Sequence, residues 1–317
     1  MRTLIDKPDL DAYLRLFKAP ETVWLNTLGV LLPCAEPELL QSGSRAEIGC
    51  LAAFTVSSGG VCVIDFANAG ELRLGELTGT LLVMPLAGHC DLVFGHECWQ
   101  SAFPLAIVNP GSEVGIRAGT GARIALLSPS SWSHHARPGA GRLSAMAEQI
   151  HQFLVRMMFF QNHQRACEAL GRLFQVLAGL LELGAEMAEH ALPELDRRLV
   201  RAIEKIRSDE DWAFSLPDLA SHSGVSERNL YYLMKRETGI TPYRLYQRHR
   251  LVRIRRRLAD CHQGLPQISW IAADEGFSHL GRFAALYREH LGELPSETVQ
   301  WRRRCQNAQS ERLLAAN

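Results

Sequence analysis

The chain has 317 residues, 47% of them apolar and 21% charged, with 34 Lys plus Arg balanced by 34 Asp plus Glu. That size and balance suit two or three globular domains with proper cores. No stretch approaches the ~20 continuous apolar residues of a membrane helix, acids replace the apolar core of a signal peptide near the start, and the eight scattered cysteines form no Cys-x-x-Cys pair, so they read as reduced thiols of a cytosolic protein.

Residues 1–30 read as a short helical lead-in, with Leu10, Leu14 and Phe17 at helical spacing. From about Ala46 to Ser128 the texture becomes β-rich. Short runs at 48–56, 61–66, 72–74, 80–85, 89–94, 105–108, 114–117 and 123–127 alternate with Gly, Asn and Pro turns, as in an antiparallel barrel or sandwich. Asn109-Pro110-Gly111 is a strong turn signal. From Leu143 to about Glu189 the period is helical again. One stripe holds Ile150, Phe153, Leu154, Met157 and Met158, and a second holds Leu170, Leu173, Phe174, Leu177 and Leu181. A stripe does not say what covers it, so internal packing and a dimer seam fit equally. Pro193 marks a linker, and residues 195–304 are helical.

Charge is unevenly placed. Residues 194–305 carry 20 Lys plus Arg against 15 Asp plus Glu, whereas residues 1–193 carry 13 against 18. The C-terminal part is the one suited to a polyanion.

That part contains a repeat. Leu219-Ala220 leads to Gly224, Val225, Ser226 and Leu230, closing at Gly239 and Pro242. Ile271-Ala272 leads to Gly276, Phe277, Ser278 and Phe283, closing at Gly292 and Pro295. The copies lie 52 residues apart and read as two helix-turn-helix units. Ala220 and Ala272 are small where two helices must meet closely. Gly224 and Gly276 fall in the turn, where positive φ costs Gly nothing. Ser226 and Ser278 sit where the second helix of each unit needs an N-cap. Leu230 and Phe283 return that helix to the core, and Gly239 and Gly292 fit the position after it ends. One extra residue between Gly276 and Phe283 predicts a longer second turn. Between the copies, residues 242–258 hold seven arginines and no acid. As one helix they span about 25 Å at ~1.5 Å per residue, suited to holding two reading helices about one DNA turn apart. An uncompensated arginine run there points to phosphate contact, Arg250 and Arg253 included.

On these residues the chain resembles the AraC/XylS family of bacterial transcription regulators. The resemblance rests on the doubled helix-turn-helix, on Arg250-Leu251, and on Ile271-Ala272 through Gly276-Phe277 and Phe283 to Gly292 and Pro295. Gly276-Phe277-Ser278-His279-Leu280-Gly281-Arg282-Phe283 with Tyr287-Arg288 is similar to the XylS branch, the activators of benzoate and toluate catabolism. Ile48-Gly49-Cys50-Leu51, Gly59-Gly60, Gly88-His89-Cys90 and Val108-Asn109-Pro110 extend the likeness into the N-terminal half. The resemblance implies an α+β architecture. A cupin-like antiparallel β-barrel over 1–140 would bind a small effector. A helical dimerisation and linker region would span 141–192. An all-α domain with two helix-turn-helix motifs would span 193–305, with a tail over 306–317. The implied partners are double-stranded promoter DNA, RNA polymerase, an aromatic carboxylate effector and a second copy of the chain, in the cytoplasm.

Arg228, Tyr232, Lys235 and Arg236 share one side of the first reading helix at spacings of three to four. Arg228, near its start, is placed for a guanine edge, while Lys235 and Arg236 suit phosphate. In the second, His279 and Arg282 lie near the start and Arg288 toward the end. Two departures stand out. Tyr231-Tyr232 in the first helix imply an operator of its own, and Ala285 stands where many family members have Arg.

An acidic effector calls for an arginine in or at the mouth of the barrel, with Arg45, Arg73 and Trp99 as candidates. His89, His96, Glu97 and Cys98 cluster but lack a His-x-His, and His134-His135 lies on a loop, so no metal is expected. No catalytic fingerprint is present, and no enzyme or cofactor is expected. The alternative is a DNA-binding regulator without a small ligand, its barrel serving as an interaction scaffold.

Overall fold

The computed structural model describes residues 8–34, 37–40, 49–95, 97–130, 132, 138–183, 196–209, 211–264 and 266–315. Arg45, His96, His134, His135 and Pro193 lie outside them.

The N-terminal half holds eleven strands among the described residues, in two antiparallel sheets. The first contains β1 (Leu14–Ala19), β3 (Gly49–Val56), β4 (Gly59–Asp65), β11 (Arg123–Pro129), β6 (Leu81–Ala87) and β9 (Ala106–Val108), adjacent in that order. The second contains β2 (Glu38–Leu40), β5 (Gly70–Glu76), β10 (Glu113–Ala118), β7 (Cys90–Phe94) and β8 (Gln100–Ser101). Helix α1 (Glu21–Leu31) follows β1.

The side-chain period explains the texture of the sequence. In β3, β4, β6 and β11 alternate residues such as Leu51, Ile64, Val83 and Leu126 face the second sheet. The intervening Phe54, Val63, Leu82 and Leu127 face the helices behind. Both faces are covered, so these strands read as unbroken apolar runs. The second sheet is covered on one face. Leu72, Leu74, Val114 and Ile116 are buried, while Arg73 and Arg117 stand on the outer face and both approach Glu71. The interior between the sheets is filled with apolar side chains.

The lead-in is the main departure. Leu10 and Tyr13 flank a single 3₁₀ turn, but residues 14–19 form β1, not a helix. Leu14 and Leu16 are buried with Arg15 between them, and β1 pairs with β3 along one edge. Its other edge meets the C-terminal half: the Phe17 N–H donates to Ala259 O (3.0 Å), and the Cys261 N–H donates to Phe17 O (3.0 Å). Pairing on both edges overrides the local helical spacing.

Helices α2 (Ala140–Arg156) and α3 (His163–Leu183) pack on the first sheet. The two apolar stripes are covered within the chain: Ile150, Leu154, Met157, Leu170, Phe174 and Leu177 join one core with Phe54, Val63 and Leu127. Uncovering them to build a dimer seam would forfeit about 1.5–3 kcal/mol per side chain. Of the two readings that fit the stripes, packing within the chain is the one these side chains show.

The C-terminal half is all helical: α4 (Arg197–Ser208), α5 (Leu216–Ser223), α6 (Glu227–Thr238), α7 (Pro242–Leu258), α8 (Ile268–Asp274), α9 (Leu280–Leu291) and α10 (Pro295–Ala315). Leu199, Ile203, Leu219, Leu230, Met234 and Leu245 form a separate core around α4–α6. Ile271, Phe283, Tyr287 and Leu291 of α8 and α9 instead belong to the core shared with the first sheet, α2 and α3.

Candidate nucleic-acid interface

The two helix-turn-helix units are built on the same backbone device. After α5, Gly224 takes φ +73° and the Val225 N–H donates to Ala220 O (3.1 Å). After α8, Gly276 takes φ +73° and the Phe277 N–H donates to Ala272 O (2.9 Å). A side chain in this left-handed conformation would be strained, which is why both turns carry Gly. Ala220 and Ala272 are buried at the crossing, and Leu230 and Phe283 are buried one helix later. Both second helices end on a left-handed glycine, Gly239 (φ +77°) and Gly292 (φ +82°). The prolines that follow open the next helices, Pro242 starting α7 and Pro295 starting α10.

The longer second turn is present: three residues separate α5 from α6, and five separate α8 from α9. The extra length moves the cap. Ser226 Oγ accepts from the Asn229 N–H (3.3 Å), as expected. In the second unit His279, not Ser278, occupies the N-cap position, without a side-chain cap bond.

Helices α6 and α9 expose polar faces. Arg228, Tyr231, Tyr232, Lys235 and Arg236 are exposed on α6. The Arg228 guanidinium lies 5.7 Å from the Tyr232 ring centre, and Tyr231 meets Tyr232 edge-on at 5.9 Å. Lys235 Nζ donates to Gly239 O (3.0 Å), and Arg236 pairs with Glu237 (2.7 Å). Exposed pairs of this kind contribute little and exchange readily for a phosphate. On the second unit His279, Arg282, Ala285 and Arg288 are exposed.

The arginine rod is corrected by the structure. Residues 242–258 do form one helix, but its arginines turn toward their neighbours. Arg244 pairs with Glu289 (3.0 Å), Arg253 with Glu275 (2.5 Å), Arg255 with Glu293 (2.8 Å) and Arg257 with Asp274 (2.7 Å). Arg250 stacks on Phe277 (4.3 Å), and Arg256 stacks on Phe17 (4.3 Å). Arg248, fully buried, donates to Met157 O (3.0 Å) and His290 O (3.3 Å). The run lacks acids in sequence, yet α8, α9 and the segment after α9 supply them in space. Arg250, through Phe277, and Arg253, through Glu275, thus fasten α7 to the second turn. Burial and the Arg248 charge hold the His290 imidazole neutral, its pKa pushed down to about 4.

Two large aromatics escaped the sequence reading. Trp270 on α8 is 69% exposed and Tyr243 on α7 is 48% exposed. The signal was available for Trp270: Ile271 and Ala272 face the core, which turns Trp270 outward.

The effector candidates do not converge. Arg73 and Arg117 lie on the outer face of the second sheet, and Trp99 stacks under Arg117 (3.8 Å), not inside the barrel. His89 pairs with Asp91 (2.7 Å). A cleft of about 460 Å³ lies instead between β1, the end of the barrel and α7, with Asp11, Phe17, Arg123, His249, Arg256 and Glu275 on its walls. It shares Phe17, Cys50, Asp65 and Arg123 with an adjoining chamber of about 470 Å³ that also has Phe66, Leu86 and Ala87.

A family model described as a helix-turn-helix domain matches residues 219–304. The chain is 26% identical over 275 residues to the XylDLEGF operon transcriptional activator 1 of Pseudomonas putida, covering 80% of each chain. It is 37% identical over 103 residues to the XylDLEGF operon transcriptional activator 3 of the same organism, covering 32% of this chain and 31% of that one. Among solved structures, the AraC-like transcriptional activator CuxR aligns with a TM-score of 0.35 at 14% identity, over 78% of this chain and 93% of the other.

Proposed function

We propose that this chain is a transcriptional activator of the AraC/XylS type, responsive to an effector and acting on an aromatic-acid catabolic operon, with residues 193–305 reading promoter DNA and the preceding residues regulating that reading. The observation that carries the DNA-binding part is the pair of matched turns, each leading into an exposed basic helix, α6 or α9, with α7 between the two units in the chain. Arg228 and Arg282 read base edges near the helix starts, with Tyr232 and His279 beside them. Lys235, Arg236 and Arg288 hold phosphates. RNA polymerase is the partner an activator calls for, and a homodimer forms on a surface other than the two apolar stripes.

The effector class follows the relatives named for the XylDLEGF operon. The two adjoining chambers suit such a ligand. Together they offer Arg123, Arg253, Arg256 and Arg257 on the walls of one, Phe66 and Leu86 in the other, and Phe17 in both, matching a compact acid with an apolar body, at a size usual for ligand sites. Benzoate-class acids are expected to raise the melting temperature, by the equivalent of about 2.7 kcal/mol at a hundredfold excess over Kd. Arg256→Ala is expected to remove that shift. A panel of aromatic acids giving no shift on protein that still binds DNA would discard the effector class. It would leave the second reading, a regulator without a small ligand, which the apolar filling between the sheets favours.

A further inference from the structure

The connector between α2 and α3 touches both reading heads, and nothing in its sequence announces it. Four consecutive features of residues 157–163 are directed at the C-terminal half. Met157 O accepts from Arg248 of α7 (3.0 Å). The Phe159 side chain is buried in the core of the first helix-turn-helix unit, with Leu230, Met234 and Leu245. Gln161 Nε2 donates to Gly239 O (3.0 Å), the glycine that ends α6. The His163 ring lies over Gly292, the glycine that ends α9, so closely that a Cβ there would fall 2.5 Å from it.

His163 is itself held from the β domain and from its own helix. Its Nδ1 meets the Tyr13 hydroxyl (3.0 Å), its Nε2 meets Cys167 Sγ (3.4 Å), and its ring stands edge-on to Phe54 of β3 (5.6 Å). The two matched glycine caps, more than fifty residues apart in sequence, are thus gripped by side chains two positions apart.

Each reading head is seated on α7, the first through the core of Leu230, Met234 and Leu245 and the second through Leu251 and Ile254 against Ile271 and Phe283, and the connector adds a contact at the C-cap of each reading helix. Two heads bound to one duplex gain from linkage only if their separation matches the two half-sites. A brace on both C-caps stiffens the angle between the two heads before DNA is met and so narrows which spacing is read.

We propose that the 157–163 connector is a spacing gauge: Gln161 and His163, by holding the C-caps of α6 and α9, set the half-site separation that the two helix-turn-helix units accept on DNA. They are positioning residues and touch no base. The inference rests on the reading of α6 and α9 as DNA-binding helices.

The test uses the full chain. A duplex is selected from a random library by the wild-type protein, and versions are made with the two half-sites moved apart or together by one and two base pairs, plus each half-site alone. Wild type is expected to lose at least tenfold in affinity per shifted base pair. The Gln161→Ala/His163→Ala double variant is expected to bind each half-site like wild type, while its penalty for a shifted spacing falls below about threefold. Gln161→Glu, which faces a carboxylate to the Gly239 carbonyl and alters only an exposed side chain, is expected to relax spacing in the same direction and guards against misfolding of the double variant. Variants that keep the wild-type spacing penalty overturn the gauge while leaving DNA reading intact. A wild-type protein that selects no duplex overturns the DNA reading and the gauge with it.

Discussion

Arg228→Ala and Arg282→Ala are each expected to weaken specific DNA binding, by roughly 5- to 150-fold in a mobility-shift assay, while leaving circular dichroism and melting unchanged. Both side chains are exposed, at the second residue of α6 and the third of α9, and neither contributes to a core. Loss of either therefore leaves the fold intact. An arginine paired bidentately with guanine contributes about 1–3 kcal/mol of discrimination, which is roughly 5- to 150-fold in affinity. Removal of one head's contact brings specific binding down toward the non-specific level. Lys235→Ala and Arg288→Ala serve as contrasts. They are expected to weaken binding evenly across sequences and to lower the salt slope by about one. Wild-type affinity and specificity in both Arg228→Ala and Arg282→Ala would remove these residues from the interface.

Glu293→Ala is expected to destabilise the whole chain by about 3–5 kcal/mol, the usual cost of stranding a buried charge. Glu293 sits between two arginines: Arg15 Nη1 at 2.6 Å and Arg255 Nη2 at 2.8 Å. Thr298 Oγ1 donates to the same carboxylate (2.6 Å), and Arg255 Nε donates to Leu14 O (2.8 Å). Arg255 is fully buried, so without Glu293 its charge has no counterion in a low-dielectric site. This one carboxylate joins β1, α7 and the start of α10 through their side chains. Burial alone would raise its pKa, but Arg255, Arg15 and Thr298 outweigh burial and hold it below the ordinary 4.5. A depressed carboxylate stabilises the fold above its unfolded pKa, and that contribution is lost as pH falls through the folded value. Wild-type stability, followed by urea denaturation, is therefore expected to drop below about pH 4.5. The Glu293→Ala protein starts lower and lacks that part of the acid limb. An unchanged urea midpoint at neutral pH would show that the network does not hold the two halves together.

The β domain was legible because its strands are short and bounded by turn residues. The runs at 61–66 and 123–127 were visible as strands, but their burial on both faces and the outward placement of Arg73, an effector candidate in the sequence, came only with the structure. Residues 14–19 were not legible, since their pairing is with β3 on one side and residues near Asp260 on the other, and no local period encodes that. The repeat was legible down to the extra residue in the second turn. Its consequence for the cap was missed: the added length moves the helix start from Ser278 to His279. The arginines of α7 were misread for a different reason. A sequence displays the absence of acids along a helix, but Glu275, Glu289 and Glu293 come from other segments. The same limit hid Gln161 and His163, whose partners lie far away in the chain.

The central claim is that α6 and α9 read successive grooves of one duplex from one side. Hydroxyl-radical footprinting of the full chain on a duplex it has selected, at low ionic strength, tests it most directly. Two protected patches on the same face, centred about 10–10.5 base pairs apart, are the predicted result. A single patch, two patches on opposite faces, or no protection at all would contradict it.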